Sequence, residues 1–329
     1  MSKPYVLGID IGGTNTVFGI VDARGHIIAS DSIKMSKSLD LDSYVSNLHR
    51  AAQRLIEDNN AQDKIQGIGI GAPNANYYTG EIKMCVNLPW NDNVPIATKI
   101  SQAFNLPVAI TNDANAAALG EMTYGAARGM RDFIMITLGT GVGSGIVVNG
   151  QMVYGHDGFA GELGHVIMKR HNGRICGCGR TGCLETYCSA NGVARTAREF
   201  LEIRTDPSML RDLDIDTITS KDVYDAAVKG DILAQEIFQY TGTILGEALA
   251  DFVAFSSPQA IVLFGGLVKS GDLLLKPVKE AFCRNVLPIF KNIQIIVSEL
   301  KESDAAVLGA SALGWEAKNR GNITVTPTH

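Results

Sequence analysis

The sequence predicts an α/β protein made of two similar halves, and three observations carry that expectation. An apolar strand, a glycine-rich turn and a second strand occupy residues 6–22, VLGIDIGGTNTVFGIVD, and the same order returns at 133–149, FIMITLGTGVGSGIVVN. Gly12 aligns with Gly139 and Gly19 roughly with Gly145, an offset near 127 residues that reads as a duplication. After each opening, strands alternate with helices, which is the pattern of an α/β class with two similar domains.

The elements follow in order. Residues 5–11 and 17–21 are apolar strands, Asp22-Ala-Arg-Gly25 is a turn signal, and 26–30 make a third strand. The opening is therefore a β-meander with its glycines in the first hairpin. Over 43–58, Tyr44, Leu48, Ala51 and Leu55 share one helical face, with Ser43 as the expected N-cap. A strand at 65–73, a helix near 95–104 and a strand at 107–111 come next, and Asn112 and Asp113 stand where a further helix begins. Past the second hairpin lie GFAGELGH at 158–165 and a cysteine-rich loop at 176–188. A helix at 190–204 then leads into a polar, acidic connector at 205–220. Helices at 221–229 and 231–256, a strand at 260–266, a helix at 271–284, a strand at 293–298 and a helix at 304–318 complete the chain. The polar tail after Lys318 reads as frayed.

Composition narrows the function. The 329 residues, 46% of them hydrophobic, suffice for one large or two medium cores. The net charge is −5 and lysine and arginine are scattered, so nucleic-acid binding has little electrostatic support. No signal-peptide pattern opens the chain and no apolar run is long enough to span a bilayer, which predicts a cytoplasmic protein that does not engage a membrane. Of six cysteines, Cys176, Cys178 and Cys183 crowd into eight residues with Cys188 close behind, while Cys85 and Cys283 stand alone. In a reducing compartment that clustering points to metal before disulfides.

The two hairpins have the chemistry of phosphate loops. Backbone N–H groups at a tight turn attract anions, and the missing Cβ of Gly12, Gly13, Gly139 and Gly141 allows phosphate oxygens close approach. Thr14, Asn15, Thr137 and Thr140 add side-chain donors. Asp10, itself an anion, is suited to Mg²⁺, which binds through one or two carboxylates together with substrate phosphates. The Walker pattern is absent, so this is no P-loop. The competing reading of plain β-turns is weakened by the repeat and by the acid.

DIGGTN with a matching LGTGVGSG resembles the two phosphate loops of the sugar kinase/Hsp70/actin superfold. Blocks at 6–21, 66–73, 108–121, 134–150, 158–188, 260–270 and 303–315 resemble, in order, the ROK family (repressor, open reading frame, kinase), and its bacterial glucokinases most of all. The resemblance implies a duplicated ribonuclease H-like fold of two domains with a cleft between them. A small N-terminal domain takes 1–120 plus 305–329, its C-terminal helix returning to it, and a large domain takes 121–304 with the cysteine loop. It implies ATP as donor, a catalytic base at Asp113, and sugar-binding groups at Gly71, Asn87, Asn112, Asp113, Glu162, His165 and Glu185. The strand, Gly-Gly turn and helix at 261–274 resemble the adenosine-contacting segment, which places Gly265 and Gly266 against the nucleotide. Homodimers or homotetramers are common in the family, and the same is expected here.

His165 followed by CGCGRTGC offers Cys176, Cys178 and Cys183, a Cys₃His set for a closed tetrahedral zinc site. Four protein ligands leave no open position, so the zinc is expected to be structural. His165 appears on both the zinc and the sugar roster: one ring nitrogen can bind metal while the other donates to a hydroxyl. Glu185 lies two residues past Cys183, so the same metal would anchor it, and Cys188 is left for the core. Two departures from the family pattern bear on the sugar. GAPNANYYTG places Asn74 where the family has glycine and adds a tyrosine pair, and NLPW is one residue shorter than the common form.

The reading is therefore an ATP- and Mg²⁺-dependent kinase of carbohydrate metabolism acting on a hexose 6-hydroxyl, with glucose as the expected sugar. An N-acetylmannosamine, N-acetylglucosamine or fructose kinase would use the same residues, and polyphosphate could replace ATP. A repressor would need a helix-turn-helix of roughly sixty residues ahead of the first strand, where this sequence has only a few. A silent sugar sensor would not require both Asp10 and Asp113, and an ATPase of the actin or Hsp70 sort would not require the sugar carboxylates and the cysteine loop.

Overall fold

The computed structural model describes residues 3–36, 38–84, 88–90 and 93–317. Asn87, expected among the sugar ligands, and Cys85 lie outside the described residues. The chain forms two compact units, Met1–Met130 with Met152–Ala160 and Glu299–His329, and Arg131–Gln151 with Gly161–Ser298.

In the first unit, β1 (Tyr5–Ile11), β2 (Asn15–Asp22) and β3 (Ile27–Lys34) make an antiparallel meander. Then β4 (Ile65–Gly71) and β5 (Val108–Thr111) add parallel strands in the order β3-β2-β1-β4-β5. Helix α1 (Leu41–Asp58) starts earlier than the sequence suggests, because Asp40 is the cap and accepts from the Ser43 N–H. Its buried face is Tyr44, Val45, Leu48, Ala52 and Ile56, one step from the stripe that includes Ala51 and Leu55. Helices α2 (Ile96–Phe104) and α3 (Asp113–Tyr124) follow.

The C-terminal helix, Glu302–Ala317, lies directly on the β1 and β4 backbones. Gly8 and Gly69 are register partners in those strands, and a Cβ at either would overlap the carbonyl oxygen of Val307 or Ala310. A methyl at Gly309 would meet the Ala116 carbonyl oxygen at 2.7 Å, so α3 approaches the same helix equally closely. These glycines are needed for close approach, not for turns.

The second unit repeats the plan. Strands β6 (Phe133–Leu138), β7 (Val142–Val148) and β8 (Gln151–Met152) form its meander, and β9 (Ala260–Phe264) and β10 (Gln294–Val297) extend it in parallel. The order β8-β7-β6-β9-β10 matches β3-β2-β1-β4-β5 strand for strand. The duplication expected from 127-residue self-similarity is thus a duplication of sheet topology. Helices α4 (Glu185–Cys188), α5 (Ala190–Ile203), α6 (Ser220–Val228), α7 (Ile232–Ser256) and α8 (Asp272–Asn285) pack around a core that includes Ile134, Leu184, Cys188, Phe238 and Leu263. The connector between α5 and α6 holds two short 3-10 turns, Met209–Asp212 and Ile215–Thr217, that local sequence did not announce. Among the described residues, no helix is long and apolar enough to cross a membrane.

Candidate functional site

In the first unit, Asp10 stands near the end of β1 and Asp113 opens α3, and the chain brings them together around Gly71 at the end of β4. Asp10 and Gly71 are register partners. A Cβ on Gly71 would sit 3.5 Å from Asp10 Oδ1, 3.2 Å from Ala116 Cβ and 3.9 Å from Asp113 Cα. Position 71 is therefore a point of crowding that leaves backbone, and no side chain, beside the two acids. Asn112 caps α3 by accepting from the Ala114 N–H at 2.8 Å.

Burial raises the Asp10 carboxyl to about 7, and the negative charge of Asp113 adds to the rise. Burial also raises Asp113, against the Ala114 N–H that donates to its Oδ1 at 2.8 Å. Asp113 nonetheless keeps open surface, so a reactant can reach it. The β1–β2 turn closes through Gly12 N–H to Asn15 O at 3.0 Å, leaving Gly13, Thr14 and Asn15 exposed. Beneath it, the buried Thr16 and Tyr44 hydroxyls bond to each other at 2.9 Å.

The second unit gathers the remaining candidates. In the β6–β7 turn, Gly139 N–H donates to Gly141 O at 3.1 Å, and Gly139 and Thr140 are exposed. Thr137 is already engaged, its hydroxyl oxygen accepting from Gly143 N–H at 3.1 Å, so only its proton is left to donate. Gly265, at φ +108°, lies against the Leu138 backbone where β6 ends, which puts the Gly265-Gly266 turn beside this hairpin.

Gly141 has a different neighbour from the one expected of a phosphate glycine. The Glu185 carboxylate occupies the space its side chain would take, and Oε2 accepts from Val142 N–H at 3.1 Å. Gly164 presses on the Val142 carbonyl in the same way, and the α5 N-terminus donates from Ala190 N–H to Gly139 O at 2.8 Å. The hairpin is thus braced by the segment that carries Glu162, His165 and Glu185. Glu162 is exposed at the entry to the 3-10 turn Leu163–His165.

His165, Cys176, Cys178 and Cys183 present one ligand atom each, all within 4.8 Å of one another. Cys176 Sγ lies 3.7 Å from His165 Nδ1, and Cys178 Sγ 3.7 Å from Cys183 Sγ. Two thiolates on a tetrahedral zinc with Zn–S near 2.3 Å stand roughly 3.8 Å apart, so the donor set fits that ion. Burial pushes the Cys176 and Cys183 thiols up, and a divalent cation is the charge that would hold such a set as thiolates. Nδ1 faces the sulfurs, which leaves Nε2 for another partner. Glu185 Oε1 also accepts from Cys176 Sγ at 3.6 Å, joining the cluster to the hairpin brace.

Arg174 is a buried structural support that its local sequence does not mark. Buried beneath the cysteine loop, it pairs with Glu199, donates to Thr186 O at 2.7 Å and to Thr196 Oγ1 at 2.8 Å, and stacks on Tyr187. Its ion partner lies 25 residues away on α5, so no local pattern marks it. Asn74 is better explained: it adopts φ +54°, a left-handed position that glycine prefers and asparagine tolerates, and it donates to Met84 O at 2.9 Å. Cys188 is buried in the core as expected, its thiol 3.5 Å from Thr241 O.

The sequence profile of the ROK family matches residues 6–317. A glucokinase from Halalkalibacterium halodurans is 37% identical over 326 residues, covering 98% of this chain and 97% of that enzyme. A xylose repressor from Caldicellulosiruptor bescii is 29% identical, covering 94% of this chain and 77% of that protein. Among solved structures, a ROK family glucokinase from Streptomyces griseus in complex with glucose and AMPPNP is 30% identical, with a TM-score of 0.77 over 95% of this chain and 99% of that one. The two duplicated sheets are those of the actin-like two-domain fold of ROK sugar kinases. The chain belongs to the ROK family.

Proposed function

We propose that the chain is an ATP-dependent hexose kinase that phosphorylates the 6-hydroxyl of glucose. The observation that carries this reading is the pair of carboxylates Asp10 and Asp113 set around Gly71 beside an exposed glycine turn, in a chain 37% identical to a glucokinase along nearly its whole length.

Asp113 is the catalytic base. Phosphoryl transfer needs little covalent help, so the base orients the hydroxyl and takes its proton as the new O–P bond forms and ADP leaves. Burial makes Asp113 a stronger base than an ordinary carboxylate, and its open surface admits the hydroxyl. The turns of Gly12, Gly13, Thr14 and Asn15 and of Gly139 and Thr140 offer backbone and hydroxyl donors to phosphate oxygens. Asp10 would hold Mg²⁺, which when bound supplies positive charge against the phosphates. Glu162, His165 Nε2, Glu185 and Asn112 match the needs of sugar hydroxyls, each of which both donates and accepts. His165, Cys176, Cys178 and Cys183 would hold a structural Zn²⁺ that fixes the His165 tautomer.

The test is a coupled ADP-release assay with Mg·ATP against glucose, N-acetylmannosamine, N-acetylglucosamine, mannose and fructose, with Asp113→Ala as the blank. Turnover on glucose that is lost in the variant supports the proposal. Preference for an N-acetyl sugar keeps the mechanism and moves the substrate. Silence on every sugar sinks the kinase and favours a sugar-sensing role, toward which the similarity to xylose repressors points.

A further inference from the structure

We propose that Asn76 is a positioning residue for sugar binding, acting by holding the strap Met152–Ala160 that leads into the Gly161–His165 turn. The inference rests on the assignment of Glu162 and His165 to the sugar.

Asn76 is fully buried, and its side chain both accepts and donates hydrogen bonds. Its Oδ1 accepts from the Tyr78 and Thr79 N–H groups at 3.0 Å each, an Asx turn that shapes the loop. Its Nδ2 reaches 81 residues along the chain and donates to Asp157 O at 2.6 Å. Gly158, at φ +87°, passes so close that a Cβ there would stand 2.6 Å from Nδ2.

Two further contacts dock the same strap on the same loop. The Tyr78 hydroxyl donates to Gly155 O at 2.8 Å, and the rings of Tyr77 and Tyr154 stack with centroids 3.5 Å apart at 14°. The loop is a firm base, tied by bridges between Ala75 and Ile82 and between Ile82 and Val94 and by the Asn74 bond to Met84 O. In the stretch where this chain leaves the family pattern, the tyrosine pair therefore contacts the strap, while Asn74 ties the loop that carries it. Beyond Ala160 the next residues are Gly161 and Glu162, so freeing Asp157 and Gly158 releases the chain just ahead of a sugar carboxylate.

Asn76→Asp isolates the relevant bond. It keeps the acceptor for Tyr78 and Thr79, while setting a carboxylate oxygen against the Asp157 carbonyl in place of a donor. Losing a buried donor in this way is expected to weaken glucose binding roughly ten- to hundredfold, read as KM and as Kd by calorimetry. The kcat at saturating glucose and the KM for ATP should change by less than about twofold. Amide hydrogen exchange over 155–162 should quicken, a readout independent of catalysis. Tyr78→Phe, at a half-exposed position, should give a smaller shift in the same direction, and it decides the matter should Asn76→Asp not fold.

Unchanged exchange in the strap overturns the proposal, as does faster exchange with unchanged glucose affinity. An equal loss of kcat and of ATP affinity with a lowered Tm reduces Asn76 to a structural residue. Wild-type protein that binds no sugar overturns this inference together with the kinase reading, and it is recognised by calorimetry before any variant is made.

Discussion

Alanine at position 141 separates the site from its scaffold. The new Cβ would stand 3.2 Å from Glu185 Cδ and overlap Oε2 outright. Carbon–oxygen contacts settle near roughly 3.5 Å, so the carboxylate must retreat by on the order of 1 Å. That motion breaks the bond from Val142 N–H to Oε2, and a hydrogen bond to a charged group is worth about 1.5–3 kcal/mol. Much of that cost is recoverable, because the obstacle is the tip of a side chain and water can replace the lost partner. Gly141 is not among the glycines at positive φ, so alanine fits the backbone and restricts the unfolded chain by about 0.4–1 kcal/mol in compensation. The fold should therefore survive with Tm changed by only a few degrees, about 2–4 °C for each kcal/mol in a chain of this size. Catalysis is less forgiving: displacing Glu185, the proposed sugar ligand, by about 1 Å is expected to cost about a hundredfold. The expected result is a kcat/KM for glucose down about a hundredfold, with zinc content unchanged. Gly164→Ala is the contrast, since its Cβ would lie 3.0 Å from the Val142 carbonyl carbon and overlap the oxygen. Backbone cannot step aside, so that variant should lose roughly 1–3 kcal/mol of stability. Calorimetry, metal analysis and initial rates on both variants decide the point. Wild-type kcat/KM for Gly141→Ala, a loss carried entirely by the KM for ATP, or a Tm drop matching Gly164→Ala would refute the placement of Glu185.

Zinc removal should reach beyond the cysteine loop, because Glu185, which accepts from Val142 N–H, lies two residues past the proposed ligand Cys183. Chelation, or Cys178→Ser, is expected to lower Tm and to weaken glucose binding at least tenfold, with thiol titration and metal content as the direct checks; unaltered glucose affinity in zinc-free protein would count against that link. Asp10 gives a pH signature in the protein free of Mg²⁺ and nucleotide. Its folded carboxyl is raised to about 7 from an ordinary 3.8, so the folded state holds a proton that the unfolded chain has released. The stability this confers is complete below about 4 and is lost as pH rises toward about 7. Asp10→Asn should match wild type in Tm near pH 4, exceed it increasingly up to about pH 7 and by a near-constant margin above that, and be inactive. A Tm difference that stays flat across this range would show that Asp10 is not desolvated in the folded protein.

The halves were legible because each glycine hairpin is local: strand, glycine turn and strand fall within about seventeen residues, and periodicity needs no partner to be read. The Cys₃His cluster was legible for the same reason, three of its four residues lying within eight positions. What stayed hidden was set by distant partners. Nothing near Arg174 announces Glu199 and Thr196, and nothing near Asn76 announces Asp157. Gly141 sits in a phosphate-loop pattern, but its place also depends on a carboxylate 44 positions away that only the folded chain sets against it. Gly8 and Gly69 likewise look like ordinary strand residues until the C-terminal helix is laid on them. The start of α1 is a smaller case of the same kind: Ser43 and Asp40 are both good caps, and the acid wins by accepting from the Ser43 N–H and hydroxyl together.

The most direct test of the account is to identify the product. Glucose labelled with ¹³C at position 6 is incubated with the protein and Mg·ATP, and the ester is read by ³¹P and ¹³C NMR. A phosphorus–carbon coupling at C6 with one ADP formed per ester, absent in Asp113→Ala, is the predicted result. ADP and inorganic phosphate without any sugar ester, or an ester at another carbon, would contradict it.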